Sequence, residues 1–141
     1  MFQNFSSRIA ISALLIAFSL TSCVTTISPS TAKSLGNAAL CMQYGHWLRM
    51  GNPQAVSTVA AEIKNRGGVS PSQAEHSIIM SESVAIGMSE CGMLAAMGSP
   101  NGQNSTITSN GRRTQYVFRP FHGRYSTYVY TDNGKVTAVQ N

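Results

Sequence analysis

Charge is scarce in this chain. Only 11% of its 141 residues are charged, against 43% hydrophobic, a balance that excludes a disordered polyampholyte. The length also excludes a multi-domain enzyme, because one modest domain is the most that it can hold. Acids are scarcest: five Asp+Glu against ten Lys+Arg leave a formal charge of +5, which favours anionic partners (phosphates, lipid headgroups, acidic polymers) over basic ones. Three cysteines, spaced 18 and 50 residues apart, are too few for a disulfide-built miniprotein and form no C-x-x-C motif. The three histidines, His46, His76 and His122, never fall three or four residues from another ligand type, so no metal site is expected. The serines lack a nucleophile-elbow setting, and Gly67-Gly68 follows a helical pattern as a C-cap instead of opening one as a phosphate cradle. Cys41 and His46 sit five residues apart, about 140° around a helix, which separates a nucleophile from its base. Neither an enzyme nor a cofactor is expected.

Long apolar runs are missing too. The longest uncharged stretch of that kind, Ile9 to Leu20, is twelve residues, well short of the ~20 needed to span a bilayer. Preceded by Arg8 and followed by Leu20-Thr21-Ser22-Cys23, it reads as a secretory signal peptide. The end of that segment resembles the lipobox of bacterial lipoproteins, in which a branched apolar residue and two small ones precede a cysteine. The resemblance implies cleavage before Cys23, acylation of Cys23, and a membrane partner held through the lipid; Val24 implies outer-membrane sorting, with the domain facing the periplasm. The alternative is an ordinary signal peptide with a coincidental cysteine. Export also removes nucleic acid as a partner.

Residues 24 to 33 hold five Ser/Thr and one Pro and no apolar period, so they read as a flexible tether. A single domain follows over 34 to 141, with a helical hairpin at 34 to 67. Leu40, Tyr44, Trp47 and Leu48 mark one face of a helix over 35 to 50; Asn52 as N-cap and Pro53 open a second, closed by Arg66-Gly67-Gly68. Ser70 to Gln73 could open a short turn, and Ile78 to Ile86 fits either strand or helix. Ser89 caps a short helix on which Cys91, Leu94 and Met97 share a stripe before Gly98 and Pro100 end it. Residues 99 to 111 read as a loop. Three strands are then expected, over 114–118, 125–131 and 135–140, with Asn133-Gly134 as the hairpin turn between the last two. The fold class expected is α+β, helices on a three-stranded antiparallel sheet.

Gly87-Met88-Ser89, the short helix to Gly98-Ser99-Pro100, the strand Gln115 to Phe118, and Tyr128-Val129-Tyr130 with Asn133-Gly134-Lys135-Val136 together resemble the SmpA/OmlA lipoproteins. That family includes the BamE-type accessory of the outer-membrane barrel assembly machinery. The resemblance covers about 87 to 140 and implies two helices on a three-stranded sheet, as also in β-lactamase-inhibitor-like domains. It implies a lipid-anchored binding or scaffold protein of the envelope, serving outer-membrane protein assembly or envelope integrity. The hairpin extension and Cys91-Gly92 depart from the family pattern. A module that blocks a periplasmic hydrolase is the alternative.

Two further sets of residues carry expectations. If Cys23 is acylated, Cys41 and Cys91 remain as an even pair in an oxidising compartment, either bridged or buried as two small hydrophobic thiols. Arg112, Arg113, Arg119 and Arg124, interleaved with Tyr116, Phe118, Phe121 and Tyr125, suggest a basic surface for anionic lipid or an acidic protein face. The other reading is a solvated edge that discourages strand pairing.

Overall fold

A computed structural model describes residues 26–119 and 125–141. Cys23 and Arg124, with Phe121 and His122, lie outside the described residues. The described chain is α+β, a helical layer followed by a four-stranded antiparallel sheet.

Order begins earlier than expected. Pro29–Ser34 form α1 within the segment read as tether, with Ile27 and Ala32 buried. Ser28 accepts from the Thr31 N–H (3.1 Å) and Pro29 occupies the first turn, where a missing N–H costs nothing. The other end of α1 is held from afar. The Arg66 guanidinium donates to the carbonyls of Ala32 (3.3 Å), Lys33 (3.0 Å) and Leu35 (2.7 Å), to Asn37 Oδ1 (3.0 Å), and to Glu62 (2.8 Å). One planar fork thus satisfies the orphan carbonyls that a short helix leaves exposed.

Next, α2 (Asn37–Arg49) and α3 (Pro53–Asn65) form the hairpin, with Asn52 accepting from the Ala55 N–H (3.0 Å). The ambiguous stretch is helical at its start. A capping box between Ser72 and Glu75 opens a 3₁₀ turn, Gln73–Glu75, that runs into α4 (His76–Met80), and turns follow. Then α5 (Glu90–Met97) starts from Ser89, whose hydroxyl accepts from the Gly92 N–H, and stops at Gly98 with φ +77°. The expected stripe of Cys91, Leu94 and Met97 packs against the core, but it is not the whole buried surface of α5. Gly92 to Ala96 are all buried as well, so the middle of this helix is surrounded, while Glu90, Cys91 and Met97 are half-buried.

The sheet has a strand more than expected. Residues 99–111 are not a loop: β1 (Gly102–Thr108) pairs with β2 (Gly111–Phe118), and β3 (Thr127–Asp132) and β4 (Lys135–Gln140) complete a meander in the order β1-β2-β3-β4. β1 escapes sequence reading because its one apolar side chain, Ile107, gives no period of two; the ladder to β2, not burial, defines it. Asn133 (φ +49°) and Gly134 (φ +79°) make the β3–β4 turn. Thr114, Tyr116 and Phe118 of β2, Val129 and Thr131 of β3 and Val136 of β4 are buried in the core with Leu40, Tyr44, Val59, Ile63, Ile79, Met93 and Leu94. Outside β4, the Gly87 N–H donates to Val136 O and Val136 N–H to Met88 O, both at 2.8 Å, which docks the segment before α5 onto that edge.

Candidate functional site

Helices and sheet meet around a cleft of about 500 Å³. Its apolar wall is built by Leu40 and Cys41 of α2, Ile63 of α3, Cys91 and Leu94 of α5 and Tyr116 of β2; Gln103, Glu90, Arg112 and Lys135 add polar groups. Cys41 and Cys91 are joined in a disulfide that clamps α2 to α5 with Cα atoms 5.0 Å apart, so the bridge is part of the cleft lining.

Glu90, at the start of α5, is the polar hub. It accepts from Arg112 (3.0 Å) and from the Thr131 hydroxyl (3.0 Å), and Tyr116 is its third partner. Burial pushes the Tyr116 phenol well above its ordinary value; the hydrogen bond to Glu90 and that carboxylate's charge push the same way, and Arg112 opposes them. Tyr116 is therefore a neutral hydrogen-bond donor throughout the physiological range. No signal of spacing marked Glu90 for this role, because its partners come from strands 22 and 41 residues away.

The expected basic, aromatic surface does not assemble from its described members. Tyr116 and Phe118 are core residues, stacked with ring centroids 6.4 Å apart. Arg112 lies within β2, on the helix-facing side, and pairs with Glu90. Arg113 projects to the opposite face and pairs with Asp132 (2.7 Å). The cause is the strand period of two, which sends neighbours to opposite faces and aligns every second residue with the core. Arg119 is exposed just beyond β2, its N–H donating to Asn101 Oδ1, and Tyr125 is exposed. Lys135, missed in that set, stands at the cleft with no side-chain partner among the described residues.

His46 packs edge-on to Trp47, and His76 Nε2 bonds the Tyr44 hydroxyl (2.9 Å). Among the described residues no three His, Cys, Asp or Glu side chains converge as a metal site. The cleft offers an apolar wall, a tyrosine hydroxyl and cationic groups, the chemistry of recognition.

No protein-family model matches the chain, and neither a curated protein nor a solved structure does.

Proposed function

We propose that the protein is a lipid-anchored binding protein of the bacterial cell envelope, fixed to the outer membrane through Cys23 and facing the periplasm. The observation that carries this reading is the disulfide. With Cys41 and Cys91 bonded to each other, Cys23 is the one cysteine left over, and it stands at the lipobox position behind a signal-peptide pattern. A disulfide inside a small domain also fits an exported protein better than a cytosolic one.

The resemblance of residues 87 to 140 to the SmpA/OmlA lipoproteins makes a place beside the outer-membrane assembly machinery the best reading of its role. The helical layer over an antiparallel sheet is compatible with that family; the fourth strand and the α1–α3 layer would be additions to it. Partners in this reading are an envelope protein or an anionic surface.

Fractionation tests the anchor. The wild-type chain should be cleaved, labelled by fatty acid and recovered with membranes, whereas Cys23→Ala should remain uncleaved or become soluble. A Cys23→Ala chain processed at the same bond and still in the membrane fraction would sink the proposal.

A further inference from the structure

The two edges of the sheet are treated differently. β4 is covered at Lys135 and Val136 by the segment before α5. The outer edge of β1 has no backbone partner among the described residues, and Gln103 to Thr108 are all exposed. Its pairing with β2 runs without a register shift from Gly102↔Val117 to Thr108↔Gly111, and its sequence, GQNSTIT, contains no charge and no proline. Bulges, prolines and edge lysines are the usual means of discouraging strand addition. β1 has none of them.

The edge is also continuous with the cleft. Ser105 Oγ meets the buried Thr114 hydroxyl (3.0 Å), so Gln103, Ser105 and Ile107 share the helix-facing side, while Asn104 bonds Gln115 on the other. Gln103 itself lines the cleft, and Ile107 on the same side is 80% exposed. A strand added outside β1 would direct alternate side chains toward that opening.

Charge selects the occupant. Residues 101 to 119 contain no acid; Arg112 and Arg113 are already paired with Glu90 and Asp132, which leaves Arg119, just beyond β2, and Lys135, at the cleft, as the cations with no side-chain partner among the described residues. A second copy of the chain would bring two such sets of unpaired cations together, whereas an acidic strand would complement one. We propose that β1 captures an extended, acidic segment of a partner polypeptide by strand addition, with apolar side chains of that segment reaching the cleft. This deepens the binding role proposed above and rests on it for the setting in which the partner is met.

The probe is a fluorescein-labelled peptide of about seven residues, the length of an ordinary strand, alternating Glu with Val and added to the full chain in detergent. It should bind, slow amide exchange across residues 103 to 108, and lose binding when alternate peptide amides are N-methylated. Thr106→Glu, an exposed site directly across from Arg113, should weaken it by about tenfold, equivalent to ~1.4 kcal/mol; Thr106→Lys should not. Absence of binding, equal binding of the N-methylated peptide, or equal binding of a Lys-for-Glu peptide would overturn the proposal. Sedimentation showing that the chain pairs with itself through β1 would overturn it in favour of a second copy. The same measurements on Cys23→Ala should be unchanged, so failure of the lipid anchor and failure of strand capture are read separately.

Discussion

Gly45 sets how closely α2 and α5 approach. A Cβ built on it would overlap the Ala95 carbonyl, and backbone cannot swing aside as a flexible side chain does. Helix propensity alone would make Gly45→Ala stabilising by about 1 kcal/mol, but overpacking costs about 1–3 kcal/mol or more. The clash should win, and urea unfolding should show a net loss of about 2 kcal/mol; a more stable variant would contradict the packing described. Glu75 works at the same scale. Its carboxylate accepts from the Ser72 and Ser89 backbone N–H groups, joining the 3₁₀ turn to the start of α5. Burial disfavours its charge, yet the hydrogen bonds from Ser72 and Ser89 outweigh that and hold it below the ordinary carboxylate value. A depressed folded-state pKa means stability present above the ordinary value of 4.5 and lost as pH falls through the lower, folded value. Unfolding free energy should therefore drop on acidification below about pH 4.5, and Glu75→Gln should be less stable at neutral pH with a flatter acid limb. An acid limb of equal steepness in the variant would assign the loss elsewhere.

Among the elements, α2, α3 and α5 were legible, as were three of the four strands. Caps announced α3 and α5: Asn52-Pro53 and Ser89 offer oxygens to N–H groups that any helix start leaves unsatisfied. Ser28-Pro29 carried the same signal for α1, but six residues without an apolar face read as linker until Arg66 supplies donors to their free carbonyls. β1 was illegible because neither of its faces is buried. The Cys41–Cys91 bridge belongs to this scale, since it clamps α2 to α5 across 50 residues of chain. Closing such a loop contributes about 4 kcal/mol in the chain-entropy model. The Cys41→Ala/Cys91→Ala double variant should lose stability of that order in denaturant titrations, with β1 to β4 still forming in whatever folded fraction remains. A loss under about 1 kcal/mol would mean that the packing of α2 on α5 suffices without the bond.

For the whole molecule, the burial of Ile27 changes the reach of the proposed anchor. Ten tether residues would let the domain swing up to about 35 Å from Cys23, but four steps of chain to Ile27 allow only about 14 Å. The domain would ride against the headgroups. Neutron reflectometry of the acylated chain on a supported bilayer should find protein density directly above the lipid; a water layer of ~25 Å or more would exceed what that chain can span and reject anchoring through Cys23 with α1 folded.

What the amino-acid order determined by itself is local: the caps of α3 and α5 and the Asn133-Gly134 turn each need only neighbouring residues. Tertiary structure decided which groups meet. Arg112 and Arg113 are adjacent in sequence yet end on opposite faces of β2, one bound to Glu90 and the other to Asp132. Tyr116 and Phe118, surface candidates by composition, are core because their parity matches Thr114 and the helix-facing side. The cleft draws its walls from α2, α3, α5 and the sheet, and the open edge of β1 exists because the meander ends there. Such placements arise from burial and pairing between distant segments, which no local pattern specifies.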